Sequence, residues 1–417
     1  MEIKIYYNGI WKKIPMGNLI QEDNWYIYFQ YEKDFLSAYW NISPKELETT
    51  LNYQWPFPDY LDYLPWIIYD CLSDWWWKWV MDRYIEEKFN IDKSDVHIFL
   101  KLLLLDDNTI WWLSFEPKDD LKIIPSELPN LSWVYSMIKD FYINSENNSD
   151  NSSKNIKTLL LASASLNWAR PKILCFYNND NWNIKISNNY FNNSEPYIIK
   201  FNSENDANYS LILEYVYMLF AKQLWKDTPN IDLLEMDKWE YALAIKRFDR
   251  IKTNNGFEKL LMHSLAWSLH TNFRFPSFNY DWFLKMTGFM TQSYTEVELA
   301  YERCVFNIIF GNKDDHTKNF SYIFTKNNRW ILSPVYDLTL NNWLNWHHQM
   351  DVLWKTDNIT KDDLINLWKK NDIKNPEQII NKISNLYKDM IIYLKENYKD
   401  KIPKSVISKL EQNYFLN

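Results

Sequence analysis

"GNKDDHTKNFSYIFTKNNRWILSPVYDL" runs from Gly311 to Leu338 and carries most of the chemistry in this chain. Asp314 and Asn319 stand five residues apart, and Asp337 follows eighteen residues after the asparagine. Between them, "FSYIFTKNNRWILSP" (320–334) reads as a strand, a turn and a strand. A hairpin there would bring Asn319 and Asp337 back to one place. Both side chains end in hard oxygens, the donor type that suits Mg²⁺.

An Asp-x(4)-Asn spacing alone occurs by chance in many loops. Followed by a hairpin and a second Asp, it is the arrangement of protein kinases. There the first Asp takes the proton of the substrate hydroxyl, and the Asn and later Asp hold Mg²⁺ against the ATP phosphates. Upstream, "YIIKF" (197–201) predicts a strand with Lys200 near its end. The apolar spacing of 206–224 predicts a helix, which carries Glu214, the position type that pairs with such a lysine. The chain order Lys200, Glu214, Asp314, Asn319, Asp337 is the kinase order.

The remaining residues bound this reading. A chain of 417 residues can bury a sizeable core in two or three domains. Its net charge of −8, with no Lys/Arg-rich run, argues against a nucleic-acid surface. Cys71, Cys175 and Cys304 have neither metal nor disulfide spacing, which fits a reducing cytoplasm. Neither His347-His348 nor His263 with His270 has a zinc spacing. "MEIKIYYNGIWKK" is no signal peptide, and "IFLKLLLL" (98–105) is too short to span a bilayer. The expectation is a cytoplasmic protein with no membrane segment.

Strands are further predicted around turns at Asn8-Gly9 and Asn24-Trp25, and at 158–163, 172–177, 183–187 and 241–250. A short helix or turn is predicted over 42–51, with Ser43 as N-cap, and a helix from Val80. Residues 143–156 are polar and of low complexity, which reads as an insertion or linker. Beyond about 257 the pattern is mostly helical, apart from the hairpin.

"GNKDDHTKNFS", "SPVYDL", "YALAIKRFDR", "ARPK" and "LSDWWWKWVMDR" resemble the HipA family of toxin–antitoxin serine/threonine kinases, over nearly the whole chain. The resemblance implies an α+β, protein-kinase-like HipA fold. A small β-rich N-terminal subdomain (1–115) would precede a mixed β/α ATP-binding lobe (157–250) and a mostly helical C-terminal lobe (251–417). It implies ATP and Mg²⁺ as cofactors, Asp314 as catalytic base, and Asn319 and Asp337 as Mg²⁺ ligands. Lys200, supported by Glu214, would contact phosphate, and His316, Lys318 and Tyr336 would line the nucleotide site. Backbone from Lys246 to Phe248 would meet the adenine. The phosphate loop falls on 163–172, with Asn167, Trp168, Ala169, Arg170 and Lys172 binding ATP. Ser163 and Ser165 are candidates for autophosphorylation. The implied partners are a protein substrate, with an aminoacyl-tRNA synthetase among the family's targets, and a HipB-like DNA-binding antitoxin through which DNA is reached indirectly.

At one kind of position the chain departs from this family. Trp168 stands where the phosphate loop needs glycine, whose missing Cβ lets backbone amides approach phosphate. Trp75 and Trp77 stand at glycines of the family's Asp-Gly-Trp-Gly. Trp225 stands where a left-handed helix end is expected, and Trp182 where a hairpin turn wants Asn-Gly. Trp66, Trp267 and Trp354 are further glycine positions by resemblance. The chain holds 5 Gly and 23 Trp. Ordinary usage predicts roughly 29 glycines in this length, and the two counts together nearly reach that figure. Most Trp letters therefore read as glycine, as when UGA codons of a lineage that assigns them to glycine are translated as tryptophan. Trp76 and Trp330 fall where an aromatic residue is expected. If the tryptophans are real, the blocked loop favours a catalytically silent kinase-fold binding protein. A small-molecule kinase shares the Asp-x(4)-Asn geometry, but the HipA-like N-terminal unit speaks against it.

Overall fold

The computed structural model describes residues 1–9, 12–22, 26–38, 46–72, 75–92, 95–105, 112–116, 130–143, 170–180, 183–187, 190–191, 193–204, 206–237, 240–254, 256–269, 278–340 and 347–412. The chain divides into two compact units. One is Met1–Asp206 with Leu234–Leu261, and the other is Ala207–Leu233 with Met262–Asn417.

In the first unit, β1 (Glu2–Gly9), β2 (Lys12–Gln21), β3 (Ile27–Tyr31) and β4 (Leu113–Glu116) form an antiparallel sheet of order β3-β2-β1-β4. Alternation decides its faces: Ile3, Ile5 and Tyr7 point into the core, as do Ile27, Phe29 and Tyr31. Gly9 still pairs with Lys12, so the expected Asn8-Gly9 turn is instead the end of β1. The loop at 10–11 and the Asn24-Trp25 turn lie outside the described residues. Helices α1 (Lys33–Ala38), α2 (Trp66–Tyr69), α3 (Trp75–Phe89), α4 (Ile98–Leu105) and α5 (Leu131–Ile143) complete this half. Helix α3 starts at Trp75, five residues before the predicted start, because Trp75–Trp79 continue its backbone hydrogen bonding. Residues 46–51 form turns and no helix, while Ser43 and Pro44 lie outside the described residues.

A second sheet has the order β6-β5-β7-β9-β8. Its strands are β5 (Lys172–Asp180), β6 (Asn183–Ser187), β7 (Glu195–Phe201), β8 (Ile231–Asp237) and β9 (Glu240–Lys246). Strands β10 (Arg250–Thr253) and β11 (Gly256–Lys259) pair as a hairpin. The predicted strand at 158–163 lies outside the described residues, as does the predicted insertion of 143–156 except for Ile143, which ends α5.

Between β9 and β10, the buried Asp249 accepts from Arg247 at 2.9 and 2.7 Å and from Arg250 at 2.5 Å. Burial pushes this carboxyl up, but the two guanidinium groups overcome that and hold it at about 2. A carboxyl depressed on folding stabilises above its unfolded value of about 3.9 and loses that stabilisation as pH falls through the folded value. Asp249→Asn should cost about 3 kcal/mol at neutral pH, because it leaves two buried cations short of a counter-charge. In denaturant titrations the gap from the parent should narrow between about pH 4 and about pH 2.

The second unit holds α6 (Ser210–Leu224), strand β12 (Leu261–Ser264), α7 (Leu265–Leu269), β13 (Phe278–Asn279), α8 (Tyr280–Thr291) and α9 (Tyr294–Phe310). Then come β14 (Ser321–Phe324), β15 (Trp330–Leu332), β16 (Met350–Asp351), α10 (Lys361–Lys370), α11 (Pro376–Asn397) and α12 (Lys404–Glu411). Phe306, Phe310, Tyr217 and Tyr387 fill the core between α6, α9 and α11, and the Tyr217 hydroxyl donates to the Phe310 carbonyl at 2.7 Å. The predicted hairpin is present as β14–β15, pairing Phe324 with Trp330 and Tyr322 with Leu332. The unit is less purely helical than expected, since β12 joins the hairpin and β13 pairs in parallel with β16. The residue after α6 also differs from expectation. Trp225 has φ −123°, an extended backbone, and its buried indole donates to Glu302 at 2.9 Å. No helix among the described residues is long and apolar enough to cross a membrane.

Candidate functional site

Helix α9 closes at Gly311, whose φ of +66° suits a residue without Cβ. The Asn312 N–H then donates back to the Asn307 carbonyl at 2.9 Å, and the chain turns sharply into 312–316. One helical turn, Thr317–Asn319, follows, capped by His316 Nδ1, which accepts from the Lys318 N–H at 3.2 Å. An Nδ1 that accepts leaves the ring proton on Nε2, which lies 3.6 Å from Asp314 Oδ1. The Asp314 side chain is partly exposed.

The Asn319 amide nitrogen donates to the backbone carbonyl of Asp314 at 2.6 Å. This fixes the amide plane and leaves Asn319 Oδ1 buried with no hydrogen-bond partner. Such an atom costs stability unless something else binds it. The hairpin then brings Asp337 back. Ser333 N–H donates to the Ser321 carbonyl at 2.8 Å, one step beyond the strand ends. The Tyr336 hydroxyl donates to the Lys318 carbonyl at 2.8 Å and shares a 2.5 Å hydrogen bond with Ser321 Oγ. Tyr336 therefore ties the residue before Asp337 to the residue before Asn319. Asp337 itself is buried in the left-handed region, at φ +54°. An aspartate held there is a strained position of the kind that clusters at functional sites. His316, Lys318 and Tyr336 are thus brought together with Asp314, Asn319 and Asp337, and the Tyr336 phenol acts as a clamp within the cluster.

In the first unit, Lys172 on β5 lies directly opposite Lys200 on β7. They are 2% and 5% exposed. The register thus sets two buried lysines side by side on neighbouring strands. Arg170 is paired with Asp206 at 3.2 Å, and Lys246 with Glu195 at 2.6 Å. The Arg247 N–H is taken by the Pro196 carbonyl at 2.9 Å, next to Phe248. Glu214 is buried on α6 in the second unit. Ser163, Ser165, Asn167, Trp168 and Ala169 lie outside the described residues.

The sequence alone assigns no role to Asp315. Its carboxylate is fully buried and accepts from the Tyr280 hydroxyl at 2.6 Å and the Gln349 N–H at 2.7 Å, with His348 Nδ1 at 2.8 Å. Its signal was only a second Asp beside Asp314, and its partners are more than thirty residues away in either direction.

Residues 164–391, more than half of the chain, match the HipA-like C-terminal domain. The chain belongs to the HipA-like family. Across the whole HipA-like chain, the fold matches HipA in a Shewanella oneidensis complex of HipA, HipB and operator DNA. The TM-score is 0.67 at 15% identity, covering 99% of this chain and 96% of that one. Among curated relatives, "Putative kinase Y4dM" of Sinorhizobium fredii is 30% identical over 136 residues, 30% of this chain and 32% of its own length. A Haemophilus influenzae protein, "Putative kinase", is 27% identical over 188 residues, 42% of this chain and 51% of its own. The chain thus spans about a third and about half of the lengths of these two relatives.

Proposed function

We propose that this HipA-like chain is an ATP- and Mg²⁺-dependent protein serine/threonine kinase, the toxin of a toxin–antitoxin pair. The observation that carries the reading is the partnerless, buried Asn319 Oδ1, on the same clamped hairpin as the left-handed Asp337. These two residues would hold Mg²⁺, and an orphaned carbonyl oxygen beside a carboxylate is a donor set that fits this ion. When bound, Mg²⁺ offsets the negative charge of the transferring phosphoryl group. The part-exposed Asp314 accepts the proton of the substrate hydroxyl. Lys172 and Lys200 are the cations for the ATP phosphates, and the family resemblance gives Glu214 as the supporting carboxylate. Lys246–Phe248 offer backbone to the adenine.

The family resemblance supports a translation protein, such as an aminoacyl-tRNA synthetase, as substrate. It also supports autophosphorylation at Ser163 or Ser165. The Shewanella complex supports a HipB-like antitoxin as partner, with DNA reached through it, and the proposed kinase acts in the cytoplasm.

Incubation of the native protein with Mg²⁺ and labelled ATP tests this. Label should transfer to protein serine or threonine and vanish when Mg²⁺ is chelated. Lys200→Ala and Lys172→Ala should each weaken Mg·ATP binding about tenfold or more, as expected for a charge-assisted contact worth roughly 1.5–3 kcal/mol. Failure of the parent protein to bind Mg·ATP would leave only the silent binding module.

A further inference from the structure

We propose that Asp315 is the positioning residue that holds the Asp314 loop in its working geometry, an inference that rests on the kinase reading above. Three groups from two distant segments converge on its one carboxylate. Oδ1 accepts from the Gln349 N–H, and Oδ2 accepts from Tyr280 and meets His348. Tyr280 and Gln349 flank the parallel pair β13–β16, where Phe278 faces Met350 and Asn279 faces Asp351. Asp315 therefore fastens the loop to a pair of strands that are already joined to each other.

A second layer supports the first. Asn307 donates to the Tyr280 hydroxyl at 3.1 Å, and Asn312 donates to Asn307 Oδ1 at 2.9 Å. Asn307 lies on α9 and Asn312 opens the loop, so both ends of the turn around Asp314 are tied to the same group. Tyr280, Asn307, Asn312, Asp315 and His348 are all buried.

The polarity of the network follows from its chemistry. An ionised carboxylate only accepts, so His348 donates through Nδ1 and Tyr280 donates its hydroxyl proton. Burial, together with the Asp315 charge, pushes the Tyr280 phenol up and keeps that proton in place. Asp314 is one peptide bond away and has no comparable set of anchors. Its side chain faces solvent in part and meets His316 at 3.6 Å. Its aim is consequently set through its neighbour. A misplacement of about 1 Å in a catalytic group can cost about 100-fold in rate.

Asp315→Ala and Asp315→Asn in the full chain test the assignment. The amide oxygen of Asp315→Asn can still accept from Gln349, and its NH2, in the place of Oδ2, can donate to the Tyr280 hydroxyl oxygen and to a His348 that has switched tautomer. The expected result is a kcat loss of about 100-fold in Asp315→Ala, with the KM for ATP within about twofold, and recovery to within about tenfold in Asp315→Asn. Hydrogen exchange of the 312–320 peptide should rise in Asp315→Ala and stay near the parent rate in Asp315→Asn. Unchanged exchange in 312–320, or an unchanged kcat per folded molecule, would overturn the proposal. If Asp315→Ala does not fold, Tyr280→Phe and His348→Gln carry the same test. Each should lower kcat several-fold without moving the KM for ATP, and parent-like kcat and exchange in both would overturn it. Should the parent protein transfer no phosphate, the kinase reading falls, and the exchange measurement alone decides whether Asp315 holds the loop.

Discussion

Asp314→Ala should lower phosphoryl transfer by about 1,000-fold while Mg·ATP affinity stays within about twofold, the middle of the range for a positioned general base. The separation of the two effects comes from the structure. Asn319 is held by the backbone carbonyl of Asp314, not by its carboxylate. Removing the side chain therefore leaves the Asn319 amide plane, and its orphaned oxygen, where they are. The Tyr336 clamp on Lys318 and Ser321 is also untouched. What is lost is one part-exposed carboxylate and its approach to His316. Asn319→Ala should behave differently. It removes both the oxygen donor and the bond that pins Asp314, so activity should fall and the Mg²⁺ concentration giving half-maximal rate should rise. Label transfer with purified Asp314→Ala within tenfold of the parent would remove Asp314 from the proposed role.

The elements that were legible in advance are those with short-range causes. The β14–β15 hairpin follows from alternation around a polar turn, and the loop before it from an Asp and an Asn at a fixed spacing. The setting of Lys200 is half legible. Its place on a strand could be read, but its pairing with the equally buried Lys172 depends on the register of β5 against β7. Asp315 was invisible because its partners come from Tyr280 and from His348-Gln349, which only tertiary structure assembles. The helix end at Trp225 was misread for a related reason. The family resemblance implies a left-handed residue, but the indole's bond to Glu302 and its contacts with Phe306 and Arg303 accompany an extended one.

That contrast sharpens the expectation about the chain's tryptophans. Val352 and Lys355 bond to each other in both directions, at 2.9 and 3.1 Å, so Leu353-Trp354 is a two-residue hairpin turn. Both turn residues have positive φ, +51° and +74°, and Trp354 is 90% exposed. A turn with two positive φ values favours Asn-Gly, and an exposed indole gains nothing there. Trp267 is misfitted in the opposite way. It is 3% exposed, its Nε1 is buried with no hydrogen-bond partner, and its ring lies 3.3 Å, centroid to centroid, from His263. Aromatic rings ordinarily sit about 4.5–7 Å apart, and a buried indole N–H ordinarily finds an acceptor. Trp330 and Trp225 show neither fault. The first packs on Phe324 at 5.2 Å, and the second has its acceptor. Peptide mass mapping of the native protein should therefore find glycine at 354 and 267 and tryptophan at 330, with codons of two kinds beneath them. Position 225 should follow its codon, since its extended backbone admits either residue. For the proposed kinase the functional stake is position 168, where the family resemblance puts the phosphate loop; glycine would let backbone amides reach phosphate and tryptophan would stand in the way. A native chain with glycine there should bind Mg·ATP, and the same chain made with tryptophan at 168 should bind it at least tenfold more weakly. Intact indoles at both 354 and 267 in the native protein would sink the reassignment.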